Sequence, residues 1–184
     1  MTDDSTAERQ PAALGSDLPP EQPVSDRSWA HLDRLKVGRY GECFVKMALV
    51  RAGLDVFSPE VDDKAIDLVI RIPSSPPRYL DVQVKTARGS TGYVFMRKRH
   101  FTIEANRYLA LVLLNEGDAP EMYLIPSTAW REPQSPFSSR DYPGLKSEPE
   151  YGLALTPAAL QRLQAFRFTG QLDMLATDGP LHLV

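Results

Sequence analysis

Ala65-Ile66-Asp67-Leu68-Val69-Ile70-Arg71-Ile72 and Tyr79-Leu80-Asp81-Val82-Gln83-Val84-Lys85-Thr86 read as two strands of one hairpin. Both have the β-branched and aliphatic content of buried strands. The connector, residues 73–78, folds the second strand back on the first. If Ile72 faces Tyr79, Asp67 falls beside Val84, flanked by Gln83 and Lys85. A carboxylate, an amide and an ammonium inside apolar strands are costly unless they meet partners or a metal.

Asp81, Gln83 and Lys85 alternate along their strand and share one face; Leu80, Val82 and Val84 share the other. Asp67 and Gln83 offer oxygens, the ligands that Mg²⁺ prefers. Lys85 is a cation placed to orient a water or to balance charge developing on a phosphate. Taken alone, the hairpin also fits a half-exposed strand with one surface Asp–Lys pair.

A helix precedes it. Residues 36–53 have helical spacing, with Val45, Ala48, Leu49 and Ala52 as an apolar stripe. Gly53 stands where such a helix stops. Glu42 lies three residues before Val45 and seven before Leu49, on that same stripe. Its two readings are an acid in the wet first turn, favoured by the helix dipole, and a second carboxylate aimed at the hairpin's polar end. With the hairpin in view, the second accounts for more.

The order is a helix with Gly41-Glu42, then Gly53-Leu54-Asp55-Val56-Phe57-Ser58-Pro59, then Ile66-Asp67-Leu68-Val69, then Val82-Gln83-Val84-Lys85-Thr86. It resembles the PD-(D/E)xK nuclease superfamily, especially its Holliday-junction-resolvase-like and intron-homing-endonuclease-like branches, over roughly residues 36–128. The resemblance implies an α/β, restriction-endonuclease-like core: a central mixed sheet of four to five strands flanked by helices, in the order αβββαβ. It implies that Asp67 binds metal, that Glu42 completes the metal site and that Lys85 is the catalytic lysine. Gln83 stands where the family usually has Glu or Asp, which removes one negative charge. The implied metal is Mg²⁺, with Mn²⁺ as a substitute, held by Asp67, Gln83, the Val84 carbonyl and Glu42. The implied activity is metal-dependent endonucleolytic hydrolysis of DNA. The alternative is an inactive module of the same fold that binds nucleic acid or a partner protein. Asp62 and Asp63 could add an acid, although turn residues are the simpler reading.

The chain has 184 residues, enough for one domain with a sizeable core plus tails. No apolar run is long enough to span a membrane, and no signal peptide is visible. The single cysteine, Cys43, reads as a small core residue in the helix. A cytoplasmic setting is the expectation. The first 27 residues are rich in Pro, Ser and acids and read as a disordered acidic tail. Residues 28–184 read as a single domain that starts near Trp29, with a Pro/Ser-rich loop at 131–150. In that loop Phe137, Arg140 and Tyr142 could touch a ligand or pack on the domain.

The net charge of −3 hides a split. Residues 1–27 carry −4, residues 28–109 carry +5 and residues 110–184 carry −4. The basic excess coincides with the motif-bearing segment, which would steer a polyanion there. Beside such a site, Arg88, Arg97, Lys98 and Arg99 read as contacts to DNA phosphates, and Thr86 faces the same way. His100 reads as a surface residue or an accessory acid or base. A homodimer is the expectation if two strands are cut symmetrically.

Downstream, residues 108–114 and 121–126 read as antiparallel neighbours joined by a Gly-Asp-containing turn. Thr156 and Pro157 open a helix with Leu160, Leu163 and Phe166 inward. Residues 97–107 are the expected crossover helix.

Overall fold

The computed structural model describes residues 28–61 and 64–177. The acidic tail, Asp62, Asp63 and His182 lie outside the described residues.

The first helix, α1, runs Arg34–Arg51. Asp33 caps it, accepting a hydrogen bond from Lys36 N at 2.8 Å. Its end is the expected one: Ala52 is the C-cap, and Gly53 follows with φ 80°. Val37, Gly41, Val45 and Leu49 form its buried face. Cys43 is exposed, not in the core; it lies two residues from both Gly41 and Val45, off the buried face of α1.

Strands β1 (Asp55–Phe57), β2 (Leu68–Ile72), β3 (Arg78–Arg88), β5 (Arg107–Leu114) and β6 (Glu121–Pro126) form one mixed sheet in the order β1-β2-β3-β5-β6. Only β3 and β5 pair in parallel. This is the five-stranded mixed core expected from the motif order. The β5–β6 hairpin is also as expected.

Two details of the sheet correct the sequence reading. Arg71 faces Tyr79 and Ile72 faces Arg78, so the hairpin register is one residue off the expected pairing. The ladder ends at Leu68 and Val82, and Asp67 beyond it bonds Val82 O and Val84 N, so it still falls beside Val84. The parity of the strands is what counts: Leu68, Ile70, Ile72, Leu80, Val82 and Val84 all face the same core, and a slip would have buried Arg71 instead.

Second, the crossover from β3 to β5 is not a helix. Residues 93–97 form strand β4 (Tyr93–Arg97), followed by a turn in which His100 N and Phe101 N both donate to Arg97 O. Val94 and Met96 are buried while Phe95 is exposed, the period-two pattern of a strand. The strand joins β8 (Glu150–Ala154) and β7 (Phe137–Arg140) in a second sheet, ordered β4-β8-β7. The stretch 131–150 is therefore not all loop. Phe137 packs edge-on against Trp130 and Phe166, which settles its role as packing.

The main sheet separates two cores. On one face, Ile70, Val82, Ala110, Val112 and Leu124 meet Val45 and Leu49 of α1 and Leu172 of the last helix, α3 (Phe168–Thr177). On the other, Leu109, Leu111 and Ile125 meet Met96 and Leu153 of the second sheet, Trp130, and Leu163 of α2 (Pro157–Leu163). Thr156 caps α2 through Ala159 N at 3.3 Å, with Pro157 opening it as expected. Trp29 docks as anticipated: its Nε1 donates to Asn115 O at 2.9 Å and its backbone N to Glu116.

The closest approach of α1 to the sheet is at Gly41. A Cβ there would lie 1.8 Å from Thr86 Oγ1, whereas one on Gly38 meets nothing within 4 Å. Gly41→Ala is expected to destabilise the fold by about 1–3 kcal/mol through overpacking. Gly38→Ala should stabilise it by up to about 1 kcal/mol through helix propensity. Urea midpoints for the two variants moving in the same direction would contradict this account of the helix–sheet contact.

Candidate active site

The site is built on a difference in strand length. β3 is eleven residues long, but its pairing with β2 stops at Val82. Its pairing with β5 continues to Arg88. Along β3, Asp81 N bonds Asn106 O and Gly89 N bonds Leu114 O, so the odd-numbered backbone groups face β5. The even-numbered groups face β2, and beyond Val82 they face an open edge. A bare strand edge there would leave Val84 N–H without a partner. Asp67 covers it. Its backbone N donates to Val82 O at 2.9 Å and its carboxylate Oδ2 accepts from Val84 N at 2.5 Å. In a strand, the N–H and C=O of one residue point to the same side. The Val84 carbonyl therefore faces the same edge as the Asp67 carboxylate.

Gln83 lies on the face that Asp67 shares. It is 5 % exposed, and its Oε1 is buried with no hydrogen-bond partner among the described residues. Such an oxygen costs about 1–3 kcal/mol when left unsatisfied. Lys85, two residues on, is half-buried, and its ammonium has neither a hydrogen-bond nor an ion-pair partner among the described residues. From the other side, Gly41 seats α1 over Thr86, four residues past the last β2 pair. Glu42 thereby reaches the same place. Asp67, Gln83, Val84, Lys85 and Glu42 together line one cavity of about 360 Å³. The four candidate side chains converge there, but Glu42 is not idle: its carboxylate accepts from Arg39 Nη1 at 2.9 Å.

The donors suit a hard cation. All are oxygens: a carboxylate, an amide oxygen without a partner and a main-chain carbonyl, with Glu42 on the rim. Among the described residues there is no group of three or more His, Cys, Asp or Glu that could hold a metal. Asp67 and Glu42 are the carboxylates of the set, so it offers oxygens with little negative charge.

No family model and no curated protein matches the sequence significantly. Among solved structures, the fold is similar to the bacterial homing endonuclease I-Ssp6803I, at 16% identity and a TM-score of 0.46, over 79% of this chain and 94% of that one. It is also similar to Hjc, a Holliday junction resolvase of Archaeoglobus fulgidus, at 16% identity and a TM-score of 0.39, over 64% of this chain and 83% of that one. At such low identities and with superpositions this loose, neither likeness assigns an activity to this chain.

Two residues that the sequence reading passed over help to build the site. Arg107 is buried, and its Nη2 donates to the carbonyls of Lys64, Ala65 and His100 at 2.6–3.0 Å. It pins the segment that delivers Asp67, where Ala65 sits at φ 50°. Burial pulls its pKa below the usual arginine value, and the nearby Asp81, Glu104 and Asp67 oppose that fall. The signal for it was a lone arginine heading an otherwise apolar strand. Arg34, the first residue of α1, lines the same cavity and has no hydrogen-bond or ion-pair partner among the described residues. It escaped notice because the helix was started two residues late.

The basic run at 97–99 is not free. Arg97 donates to Glu148 O at 2.9 Å and pairs with Glu150 at 3.5 Å. Lys98 pairs with Asp141 at 2.5 Å, and Arg99 with Glu148 at 3.3 Å. These cations are matched by acids of the β7–β8 segment, which the sequence placed in a distant loop. His100 Nε2 accepts from Arg99 Nε at 2.9 Å, away from the cavity's lining. Arg88, by contrast, donates to the neutral Leu32 carbonyl and has no acidic partner among the described residues.

Substitutions at Gln83 separate the roles of its oxygen. Gln83→Glu adds charge at the open edge and should tighten Mg²⁺ and Mn²⁺ binding in calorimetric titration. Gln83→Leu removes the orphaned oxygen and should abolish metal binding while raising stability by about 1 kcal/mol. A Gln83→Leu variant that binds metal like wild type would exclude this oxygen as a ligand.

Proposed function

We propose that this protein is a Mg²⁺-dependent endonuclease that hydrolyses DNA phosphodiester bonds. The observation that carries this reading is the buried, unpartnered Gln83 Oε1 beside the Asp67 carboxylate and the unpaired Lys85 ammonium. A purely structural strand end would have little reason to keep an orphaned amide oxygen and a free cation on one face.

In this reading, Asp67, Gln83 Oε1, the Val84 carbonyl and Glu42 hold the metal. The ion supplies charge neutralisation at the scissile phosphate and lowers the cost of generating hydroxide from water. Lys85 holds the attacking water by a hydrogen bond and balances the negative charge that grows on the phosphate oxygens. The water oxygen bonds to phosphorus in line with the departing 3′ oxygen, and the P–O3′ bond breaks. The proton lost by the water is balanced by one gained on the leaving oxygen. The products are a 5′-phosphate and a 3′-hydroxyl. Arg107 acts through the backbone it holds, keeping Asp67 at the β3 edge. Arg34 and Arg88 add positive potential beside the reacting phosphate.

A second reading has one observation in its favour. Glu42 is paired with Arg39, and Gln83 is a neutral amide, so the site carries little negative charge for a metal. That balance suits a module that binds nucleic acid without cutting it.

Incubation with Mg²⁺ or Mn²⁺ and a panel of duplex, branched and single-stranded DNA distinguishes the two. Wild type should cleave at least one substrate. Asp67→Asn and Lys85→Ala should each lose at least about 10²-fold in rate, as expected when a site cation or ligand is removed. Both should retain the wild-type unfolding free energy, measured by urea denaturation, within about 1 kcal/mol. Binding without cleavage by wild type would favour the second reading. Cleavage by both variants at the wild-type rate would refute the assignment.

A further inference from the structure

A second groove opens beside the candidate site. It has a volume of about 480 Å³, a size that accommodates small ligands. It shares Arg34, Lys85 and Thr86 with the first cavity, so the two adjoin. Its far wall is the β3–β4 turn with Ser90 and Thr91, and the exposed edge of β4 with Phe95.

Charge and chemistry restrict what it takes. Arg34 and Lys85 have no acidic partner among the described residues, and Arg88 is bonded only to a carbonyl. No carboxylate lines the groove. Three uncompensated cations favour a phosphate-bearing ligand. Thr86 Oγ1 is buried without a partner at the junction of the two cavities. The hydroxyls of Ser90 and Thr91 add hydrogen-bonding capacity.

The groove also contains an aromatic ring. Phe95 is 40 % exposed on the outward face of β4, a large apolar ring left facing water. Arg97 lies with its guanidinium carbon 4.8 Å from the ring centroid. Arg97 is itself held by Glu148 and Glu150, so the ring is braced from one side. A braced ring loses little freedom when a base stacks on it. In a continuous duplex, base faces are covered by their neighbours, so such a ring can meet only a base that has left the stack.

We infer that this groove holds an unpaired nucleotide next to the scissile phosphate, with its phosphate on Arg34, Lys85 and Arg88 and its base on Phe95. The inference rests on the endonuclease reading and deepens it. The preferred substrate is then DNA with a single-stranded extension or branch, not continuous duplex.

The test reads binding, not cleavage. Fluorescence anisotropy is measured in EDTA with a labelled duplex and with the same duplex bearing a single-stranded extension of several nucleotides. A second series places 2-aminopurine in the extension, whose emission is quenched on stacking. Wild type should prefer the extended DNA about tenfold, and 2-aminopurine should be quenched at one position. Phe95→Ala and Phe95→Leu should lose that preference and the quenching while binding the plain duplex as wild type does; Phe95→Trp should retain both. Equal affinity of wild type for the two DNAs would overturn the inference and leave the endonuclease reading standing. So would a preference that Phe95→Ala and Phe95→Leu both keep. A wild type that neither binds nor cleaves any DNA would overturn both.

Discussion

The hydrogen bond from Val84 N to the Asp67 carboxylate is the constraint on which the site depends. β2 ends before β3 does, and a sheet edge ending inside the molecule must be closed by something. A carboxylate closes it here, where another strand residue would have closed it at no electrostatic cost. That choice leaves the second carboxylate oxygen, the Val84 carbonyl and the Gln83 amide oxygen together at one edge. Arg107 then holds the backbone that brings Asp67 there, and Gly41 lets α1 come close enough for Glu42 to line the same cavity. Remove the length mismatch between β2 and β3, and these groups would be spread along an ordinary sheet.

The electrostatics of the chain follow the same division between structure and site. The cations of Arg97, Lys98 and Arg99 are matched by Asp141, Glu148 and Glu150 across the β7–β8 segment. Exposed pairs of this kind contribute little stability each, but the acids beside these cations cancel much of the positive potential that would draw a phosphate. Arg34, Lys85 and Arg88 lack acidic partners among the described residues, and all three line the groove beside the site. A count of charges along the sequence cannot distinguish these groups; only their partners do.

Much of this was readable before any coordinates. The helix stop at Gly53, the Asp67 and Gln-x-Lys strands, the β5–β6 hairpin and the Thr156 cap are local signals, and each depends on neighbouring residues alone. What failed to read was non-local. The hairpin register depends on where the proline-rich connector turns, and it is one residue off the expected pairing, although Asp67 still lies beside Val84. Residues 97–107 lacked a sharp helical period, and the strand at 93–97 had no visible partner because β8 lies more than fifty residues away. Cys43 and Arg107 were misread or missed for a related reason: whether a residue is buried depends on which elements reach its side of the molecule. The four candidate side chains were each identifiable by type and spacing, whereas Glu42's engagement with Arg39 was not.

The location of a bound metal tests the central claim most directly. Crystals grown or soaked with Mn²⁺ and measured at a wavelength where manganese scatters anomalously would show where the ion sits. The account predicts an anomalous peak within about 2.0–2.3 Å of an Asp67 carboxylate oxygen and of Gln83 Oε1, the range expected for oxygen ligands of such ions. A peak elsewhere on the protein, with Gln83 Oε1 still unpartnered, would contradict it.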